Sequence, residues 1–165
     1  RNIEWLHRFG PPNIRAFQST ALPTLPIEDN FFDVVTAFSV FTHIDDFEIA
    51  WLLELRRILK PGGVAYLSVQ TDHTWNALTP QRPPYGHIIT FKDKVPGVDV
   101  SPEGFKKPMP QERMVFTHGE RELYNCNVFA SADYLRKVWG RFMEIRELIP
   151  DGAMYQDVAV MTKPS

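Results

Sequence analysis

Cysteine is almost absent from this sequence, since Cys126 is the only one among 165 residues. A single cysteine excludes an internal disulfide framework and predicts a cytoplasmic protein. Metal-binding patterns are missing too, because the five histidines are scattered and neither H-x-x-x-H nor C-x-x-C occurs. We therefore expect Cys126 to be a small, partly buried side chain, and we expect no metal site.

Long hydrophobic runs and an excess of charge of one sign are also lacking. No apolar stretch approaches the ~18 residues of a membrane span. Eighteen Lys and Arg stand against twenty Asp and Glu, and the resulting net charge of -2 exerts no long-range attraction on nucleic acid. The sequence thus predicts no membrane span and no nucleic-acid partner.

Glycine is sparse and never has the spacing of the common nucleotide-binding loops. No G-x-G-x-x-G occurs and no glycine precedes a lysine, so neither a dinucleotide fingerprint nor a phosphate-binding G-K-[ST] loop is present. The hydrolase elbow G-x-S-x-G is absent as well. What the chain does must therefore be inferred from the order of its helices and strands.

Strands and helices alternate along the first part of the chain, which is typical of an α/β fold. Apolar residues within 3–9 predict a first helix, and residues 14–18 alternate between apolar and polar like a short strand. Residues 31–41 are aromatic and β-branched with almost no charge, which indicates a strand buried on both faces of a parallel sheet. At this length we expect a single domain over 1–165.

The clearest helix runs from Ile44 to Lys60, with apolar residues at the 3.6-residue spacing of one face. Asp45 and Glu48 have the spacing of a capping box at its start. Lys-Pro-Gly-Gly then ends the helix, because proline cannot sit in a helix interior and glycine can adopt the left-handed turn. A strand over 63–70 follows directly.

The remainder divides into a proline-rich segment and a regular end. Residues 71–127 hold seven of the fourteen prolines and little periodicity, so we interpret them as an irregular insertion. Ser131 is expected to cap a helix, and two strands follow at 143–149 and 155–162. The intervening residues are too few for a parallel crossover, so these strands are predicted to pair antiparallel.

Polar residues directly follow three predicted strands, in "QSTAL", "FSVFTHI" and "VQTDHTW". In open α/β sheets ligands bind at this carboxyl edge. The run "LPIEDNFFDVVTAFSVFTHI", followed by "WLLELRRILKPGGVAYLSV", resembles the central part of class I S-adenosylmethionine-dependent methyltransferases of the small-molecule, type 11-like kind. The resemblance covers 1–70 and 131–162, and its final strands are similar to the antiparallel hairpin of that family.

The resemblance implies a Rossmann-like methyltransferase sheet, mostly parallel with a C-terminal antiparallel hairpin, and S-adenosylmethionine as cofactor. It implies methyl transfer to a small-molecule acceptor. It places Phe38 and Ser39 against the methionine part of the cofactor. His43 would contact cofactor or substrate, or only cap the helix. The acidic residue that many members use for adenine is absent, so Thr20, Ala21 and Leu22 would contact adenine through backbone groups and a hydroxyl.

Candidates for ordering the acceptor or accepting its proton are few. Within the insertion they are Tyr85, His87 and Tyr124, and His43 is a fourth candidate at the sheet edge. Methyl transfer itself requires that the acceptor and the methyl donor are aligned and that water is excluded. A general base is needed only for a weakly acidic acceptor. The residues therefore do not name the substrate, and they do not indicate an oligomeric state.

Two elements of the family pattern are missing, namely the glycine-rich loop after its first strand and the acid that closes its second strand. We therefore expect the chain to be a piece of a longer protein that lacks its N-terminal strands and binds the cofactor weakly by itself. The alternative interpretation is a non-catalytic, methyltransferase-like interaction module. A nicotinamide-dependent oxidoreductase is disfavoured by the predicted terminal hairpin.

Overall fold

A computed structural model of the protein describes residues 2–91, 95–117 and 126–165. Its helices are α1 (Asn2–Phe9), α2 (Glu48–Ile58), α3 (Asp72–Asn76), α4 (Pro83–Ile88) and α5 (Ala132–Val138). Its strands are β1 (Phe32–Ala37), β2 (Leu59–Val69), β3 (Arg113–Thr117), β4 (Cys126–Ala130), β5 (Glu144–Ala153) and β6 (Gln156–Thr162). Short 3₁₀ turns cover Phe41–His43, Ile89–Phe91 and Trp139–Arg141. Among the helices described, none has the length and apolar character needed to cross a membrane.

The main sheet has four strands in the order β1-β2-β6-β5. β1 and β2 pair in parallel, while β6 pairs antiparallel with both β2 and β5. β1, β2 and β5 therefore run in one direction and β6 runs against them, so the sheet is mixed. The carboxyl ends of β1, β2 and β5 meet the beginning of β6 at one edge, and this edge positions the site.

The Lys-Pro-Gly-Gly segment lies within β2, and the preceding helix ends at Ile58 rather than at Lys60. Gly62 has φ +76, the left-handed conformation that glycine adopts without strain. A Cβ on Gly63 would lie 2.8 Å from the Lys60 carbonyl oxygen and 3.1 Å from that of Asp33. Both glycines are thus required, one by its conformation and the other by the close approach of the chain to β1.

The start of α2 differs from the predicted capping box. Phe47, at the cap position, is left-handed with φ 63, and no side chain caps the helix. Asp45 and Glu48 instead face Arg113 of β3, with Nη1 3.1 Å from Asp45 Oδ1 and Nε 2.9 Å from Glu48 Oε2. Glu48 also accepts a hydrogen bond from Trp139 Nε1 at 2.5 Å. The ion pairs with a distant strand replace the local cap, so the capping-box prediction was wrong.

The strand predicted at 14–18 does not form. Ile14 and Phe17 are exposed, and those residues have no ladder to any strand that the structure describes. A strand depends on a neighbour for its hydrogen bonds, and alternation alone does not supply one. The prediction was wrong for this reason.

The insertion predicted to be irregular over 71–127 is ordered in much of its described part. It contributes α3, α4, β3 and the first two residues of β4, and the antiparallel β3–β4 pair packs with the two helices around a second hydrophobic core. Trp75, Phe116 and Phe129 lie at its centre, with Phe105 edge-on to Trp75 at 4.8 Å. The sequence did not predict these elements, because the aromatic packing that holds them is long-range and leaves no periodic signal.

Candidate functional site

A closed ring of hydrogen bonds joins three strands at the carboxyl edge of the sheet. The backbone N–H of Ser39 donates to Ser68 Oγ at 2.8 Å, and the Ser68 hydroxyl donates to Gln156 Oε1 at 2.6 Å. Gln156 Nε2 then donates to Ser39 Oγ at 3.0 Å. Ser68 and Gln156 are buried, whereas Ser39 has φ 53, an uncommon left-handed conformation for serine. The ring holds Ser39 in this conformation directly behind β1.

Three cavities meet at Ser39. The first, of about 330 Å³, is almost wholly apolar, and the second, of about 300 Å³, lies between Phe38 and the turn that joins β5 to β6. The third, of about 180 Å³, lies between the sheet edge and α4. His43 lines the first and the third. The first cavity is lined by Ala37, Ser39, Val40, Phe41, His43, Ile44, Trp51 and Leu55.

His43 is held by a reciprocal contact with the beginning of β4. Its Nδ1 lies 2.7 Å from the Cys126 carbonyl oxygen, and the Cys126 thiol donates to the His43 carbonyl oxygen at 3.2 Å. A carbonyl oxygen only accepts hydrogen bonds, so Nδ1 carries the proton. In the neutral ring the lone pair then belongs to Nε2, which has no partner among the residues that the structure describes. His43 is therefore prepared to accept a proton at Nε2.

The predicted cofactor residues are only partly brought together. Phe38 and Ser39 line the second cavity, and Ser39 and His43 line the first. Thr20, Ala21 and Leu22 line none of these three cavities. The Leu22 N–H donates to Thr20 Oγ1 at 3.2 Å, which is a hydrogen bond within the loop, and the Leu22 side chain is exposed. Adenine contact by the 20–22 loop remains a prediction.

The residues predicted to contact the acceptor also lie in different parts of the molecule. His87 lines the third cavity, together with His43. Tyr85 instead packs against the second core, with its ring 5.8 Å from that of Phe105. Tyr124 lies outside the residues that the structure describes. The geometry thus favours the two histidines over Tyr85 as groups near an acceptor.

Asp157 was not among the predicted site residues; it is 2% exposed and lies at the start of β6. It accepts hydrogen bonds from the Thr71 and Thr74 hydroxyls, from His73 Nδ1 at 2.8 Å and from the Asp151 N–H at 3.0 Å. Burial raises the pKa of Asp157, but these hydrogen bonds together outweigh burial and hold the pKa below its ordinary value. Asp157 thereby links α3 to the last residues of β5.

The same cluster contains groups that can ligate a metal ion. Ligand atoms of His73, Asp151 and Asp157 lie within 4.8 Å of one another. However, the Asp157 oxygens already accept four hydrogen bonds, and Asp151 forms an ion pair with Arg82. A cation would have to displace these partners and approach a guanidinium, so the cluster is better explained as a structural link. Its only sequence signal was the polar run after β2.

Comparisons with known proteins agree with this architecture. Residues 3–67 match the methyltransferase domain family. Over 48 residues the chain is 42% identical to an uncharacterized methyltransferase of Schizosaccharomyces pombe, which corresponds to 29% of this chain and 17% of that protein.

Two solved structures illustrate the similarity of fold. One is the 1,6-didemethyltoxoflavin-N1-methyltransferase of Burkholderia thailandensis with bound 1,6-didemethyltoxoflavin and S-adenosylhomocysteine. Its TM-score is 0.58 and its identity 11%, with 98% of this chain and 56% of that chain covered. The other is a SAM-dependent methyltransferase from Methanosarcina mazei, with TM-score 0.51, identity 18%, and coverage of 88% and 65%.

The chain spans less than two thirds of each of these three proteins. The match lies in α1, β1, α2 and most of β2, the part that carries Ser39 and His43. The similar structures share the mixed α/β sheet rather than a close sequence. Residues 3–67 therefore match the methyltransferase domain family, and the chain is similar in fold to S-adenosylmethionine-dependent methyltransferases.

Proposed function

We propose that the protein transfers a methyl group from S-adenosylmethionine to a small-molecule acceptor. The observation that carries this proposal is the hydrogen-bonded ring at Ser39, around which three cavities meet at the carboxyl edge of the sheet. Ligands of open α/β sheets bind at this edge. A strained residue that is held by buried partners beside a cavity is typical of a binding site.

The residues present fit part of such a cofactor. The first cavity offers apolar walls with Ser39 and His43 at its polar side, and Phe38 is 53% exposed beside the second cavity. In this proposal the methionine part of the cofactor contacts Phe38 and Ser39, and adenine contacts Thr20, Ala21 and Leu22. S-adenosylmethionine supplies an electrophilic methyl group when bound. The chain's own residues align the reactants and exclude water, which is where most of the rate enhancement of such a reaction arises.

The third cavity is the proposed acceptor site. It shares Ser39 and His43 with the first cavity, so an acceptor bound there would lie beside the cofactor. Pro83, Pro84 and His87 from the insertion complete its wall. The Burkholderia protein, whose fold is similar, was solved with 1,6-didemethyltoxoflavin and S-adenosylhomocysteine bound, which supports a small-molecule acceptor. The proposal includes a cytoplasmic location, based on the single cysteine.

Replacement of Ser39 tests the cofactor site in the full-length protein. Ser39→Trp should lower the affinity for S-adenosylhomocysteine by at least about tenfold in titration calorimetry, because the indole would fill the junction of the cavities. Ser39→Gly retains the left-handed conformation without added bulk but removes the hydroxyl that accepts from Gln156, so it should lower the affinity less than Ser39→Trp does.

Ser165→Trp is the matched control for the added indole, because Ser165 is exposed, follows the end of β6 and lines none of these cavities. Circular dichroism of each variant separates loss of the site from loss of the fold. Unchanged affinity of a folded Ser39→Trp protein would contradict this placement of the cofactor.

A further inference from the structure

The third cavity is lined by neutral groups. Its walls consist of Ser39, His43, Gln70, Pro83, Pro84, His87, Asn127, Tyr155 and Gln156. No Asp, Glu, Lys or Arg occurs among these lining residues of the described chain. A carboxylate, phosphate or ammonium group placed against these walls would give up part of its hydration without gaining an opposite charge from them, which is unfavourable.

The neutral groups still provide hydrogen bonds. Gln70 is 3% exposed and donates its Nε2 to the Val128 carbonyl oxygen at 3.1 Å, which leaves its Oε1 as an acceptor. Asn127 is 7% exposed and contributes an amide from β4. The volume of about 180 Å³ is below the range of roughly 300–1,000 Å³ that is common for drug-sized ligands. The cavity therefore suits a small, uncharged ring compound with polar substituents.

His43 adds a defined proton acceptor to this neutral wall. The Cys126 carbonyl holds the proton on Nδ1, and the lone pair of the neutral ring is consequently on Nε2. His43 lines both the acceptor cavity and the cofactor cavity, so a group bound between them can reach it. His87 lines the acceptor cavity but not the cofactor cavity, so it lacks the position of His43 between the two.

Resting on the proposed function, we propose that the acceptor is an uncharged ring compound with an ionisable O–H or N–H group, and that His43 Nε2 is its general base. The acceptor oxygen or nitrogen forms a bond to the methyl carbon as the bond from that carbon to the sulfonium sulfur breaks. The sulfur keeps the electron pair and becomes a neutral thioether. His43 Nε2 takes the acceptor's proton and later releases it to water.

Nitrogen-15 NMR of the full-length protein tests the state of His43 without any turnover. Long-range proton–nitrogen correlations should show Nδ1 protonated and Nε2 bare in the neutral ring. Assignment comes from the loss of the signal in His43→Gln. Protonation on Nε2 would overturn the proposal.

Matched probes then test the acceptor class in the presence of saturating S-adenosylhomocysteine. The O–H probe para-hydroxybenzamide and the N–H probe benzimidazole are uncharged, whereas para-hydroxybenzoate and para-hydroxybenzylamine carry opposite charges on the same ring. At least one uncharged probe should shift the His43 signal and bind at least about tenfold more tightly than both charged probes. Equal or tighter binding of a charged probe would overturn the inferred class.

Methyl transfer to the bound uncharged probe provides the third measurement. His43→Gln should lower kcat by about a hundredfold or more, the usual contribution of a general base. His7→Gln, in α1 and outside the cavities, should retain the wild-type rate. A larger loss in His87→Gln than in His43→Gln would overturn the role of His43.

The two levels of the proposal fail differently. If the wild type does not bind S-adenosylhomocysteine, the proposed function itself is wrong. If it binds S-adenosylhomocysteine but shows the other tautomer or prefers a charged probe, only the acceptor class and the base are wrong.

Discussion

Ser39 owes its conformation to residues that are distant in sequence. Its hydrogen-bond partners Ser68 and Gln156 are 29 and 117 residues away, and Ser68 is completely buried. A left-handed serine is unfavourable by itself, so the buried partners must outweigh that cost. Ser39, which lines all three cavities, thus has a backbone geometry that depends on the assembled sheet.

Ser68→Ala should destabilise the fold by roughly 1–3 kcal/mol, because it leaves the Ser39 N–H and Gln156 Oε1 without their partner inside the protein. Urea unfolding measures the difference. Ser19→Ala is the control, since Ser19 is exposed and its hydroxyl forms only a 3.4 Å contact with its neighbour. Equal stability of the two variants would show that the ring does not hold Ser39.

Asp157 gives the fold a dependence on pH. Its pKa is lowered in the folded protein, so its carboxylate stabilises the fold fully above the unfolded pKa of about 3.9. That contribution is lost as the pH falls through the folded pKa, which lies below this value. Asp157→Asn should therefore cost roughly 1.5–3 kcal/mol at pH 7, because neutral hydrogen bonds replace charged ones.

The difference between wild type and Asp157→Asn should shrink as the pH is lowered from about 4, and chemical unfolding at a series of pH values measures it. Asp133→Asn is the control, since Asp133 is exposed. If the difference in stability between the two proteins did not depend on pH, the charge of Asp157 would not be what stabilises the link between α3 and β5.

At the scale of elements, the turn into β2 can be tested with a matched pair of glycines. A Cβ would meet nothing within 4 Å at either Gly62 or Gly86, but only Gly62 has a positive φ. Gly62→Ala should cost about 1–2 kcal/mol, the penalty of a left-handed alanine. Gly86→Ala, within α4, should stabilise by roughly 0.5–1 kcal/mol. Thermal unfolding of both variants measures these changes in stability. A Gly62→Ala variant as stable as the wild type would contradict the requirement for glycine at this turn.

Elements with strong local signals were predictable from the sequence. The apolar face of α2 was identified, and the few residues between β5 and β6 predicted the antiparallel pairing that the structure has. The nearly uncharged run containing β1 was correctly identified as a strand, but its predicted burial on both faces was wrong, because β1 is an edge strand without a fully buried residue. The second core was not predictable, because its aromatic residues come from separate loops and strands and have no common period. Local periodicity reports on single elements, whereas such a core exists only once the chain is folded.

The candidate site was predictable only in part. Phe38, Ser39 and His43 were found because they follow a strongly apolar strand. Ser68, Gln156 and Asp157 were missed, since a polar residue that becomes buried looks in sequence like any polar residue at a strand end. Their roles depend on the order β1-β2-β6, which the sequence analysis did not translate into contacts between side chains.

At the scale of the whole molecule, the two hydrophobic cores are joined through β4. Phe129 belongs to the second core and its neighbour Ala130 to the first. The Ala130 N–H donates to the Gln70 carbonyl oxygen at 2.8 Å, so β4 is fastened to the end of β2. Arg113 adds an ion pair from β3 to Glu48 of α2. With these links, we expect the cores to unfold together.

Paired valine substitutions test this expectation. Val69→Ala lies in the first core and Val100→Ala in the second, and both side chains are buried. Each should cost roughly 1.5–2.5 kcal/mol for the lost methyl groups and the cavity.

Trp139 and Trp75, buried in the first and second core, serve as separate reporters after labelling with fluorotryptophan. In a cooperative fold each substitution lowers the urea midpoint of both fluorine signals equally, because unfolding either core removes the contacts that β4 makes to the other. A shift confined to the tryptophan of the substituted core would show that the insertion unfolds on its own.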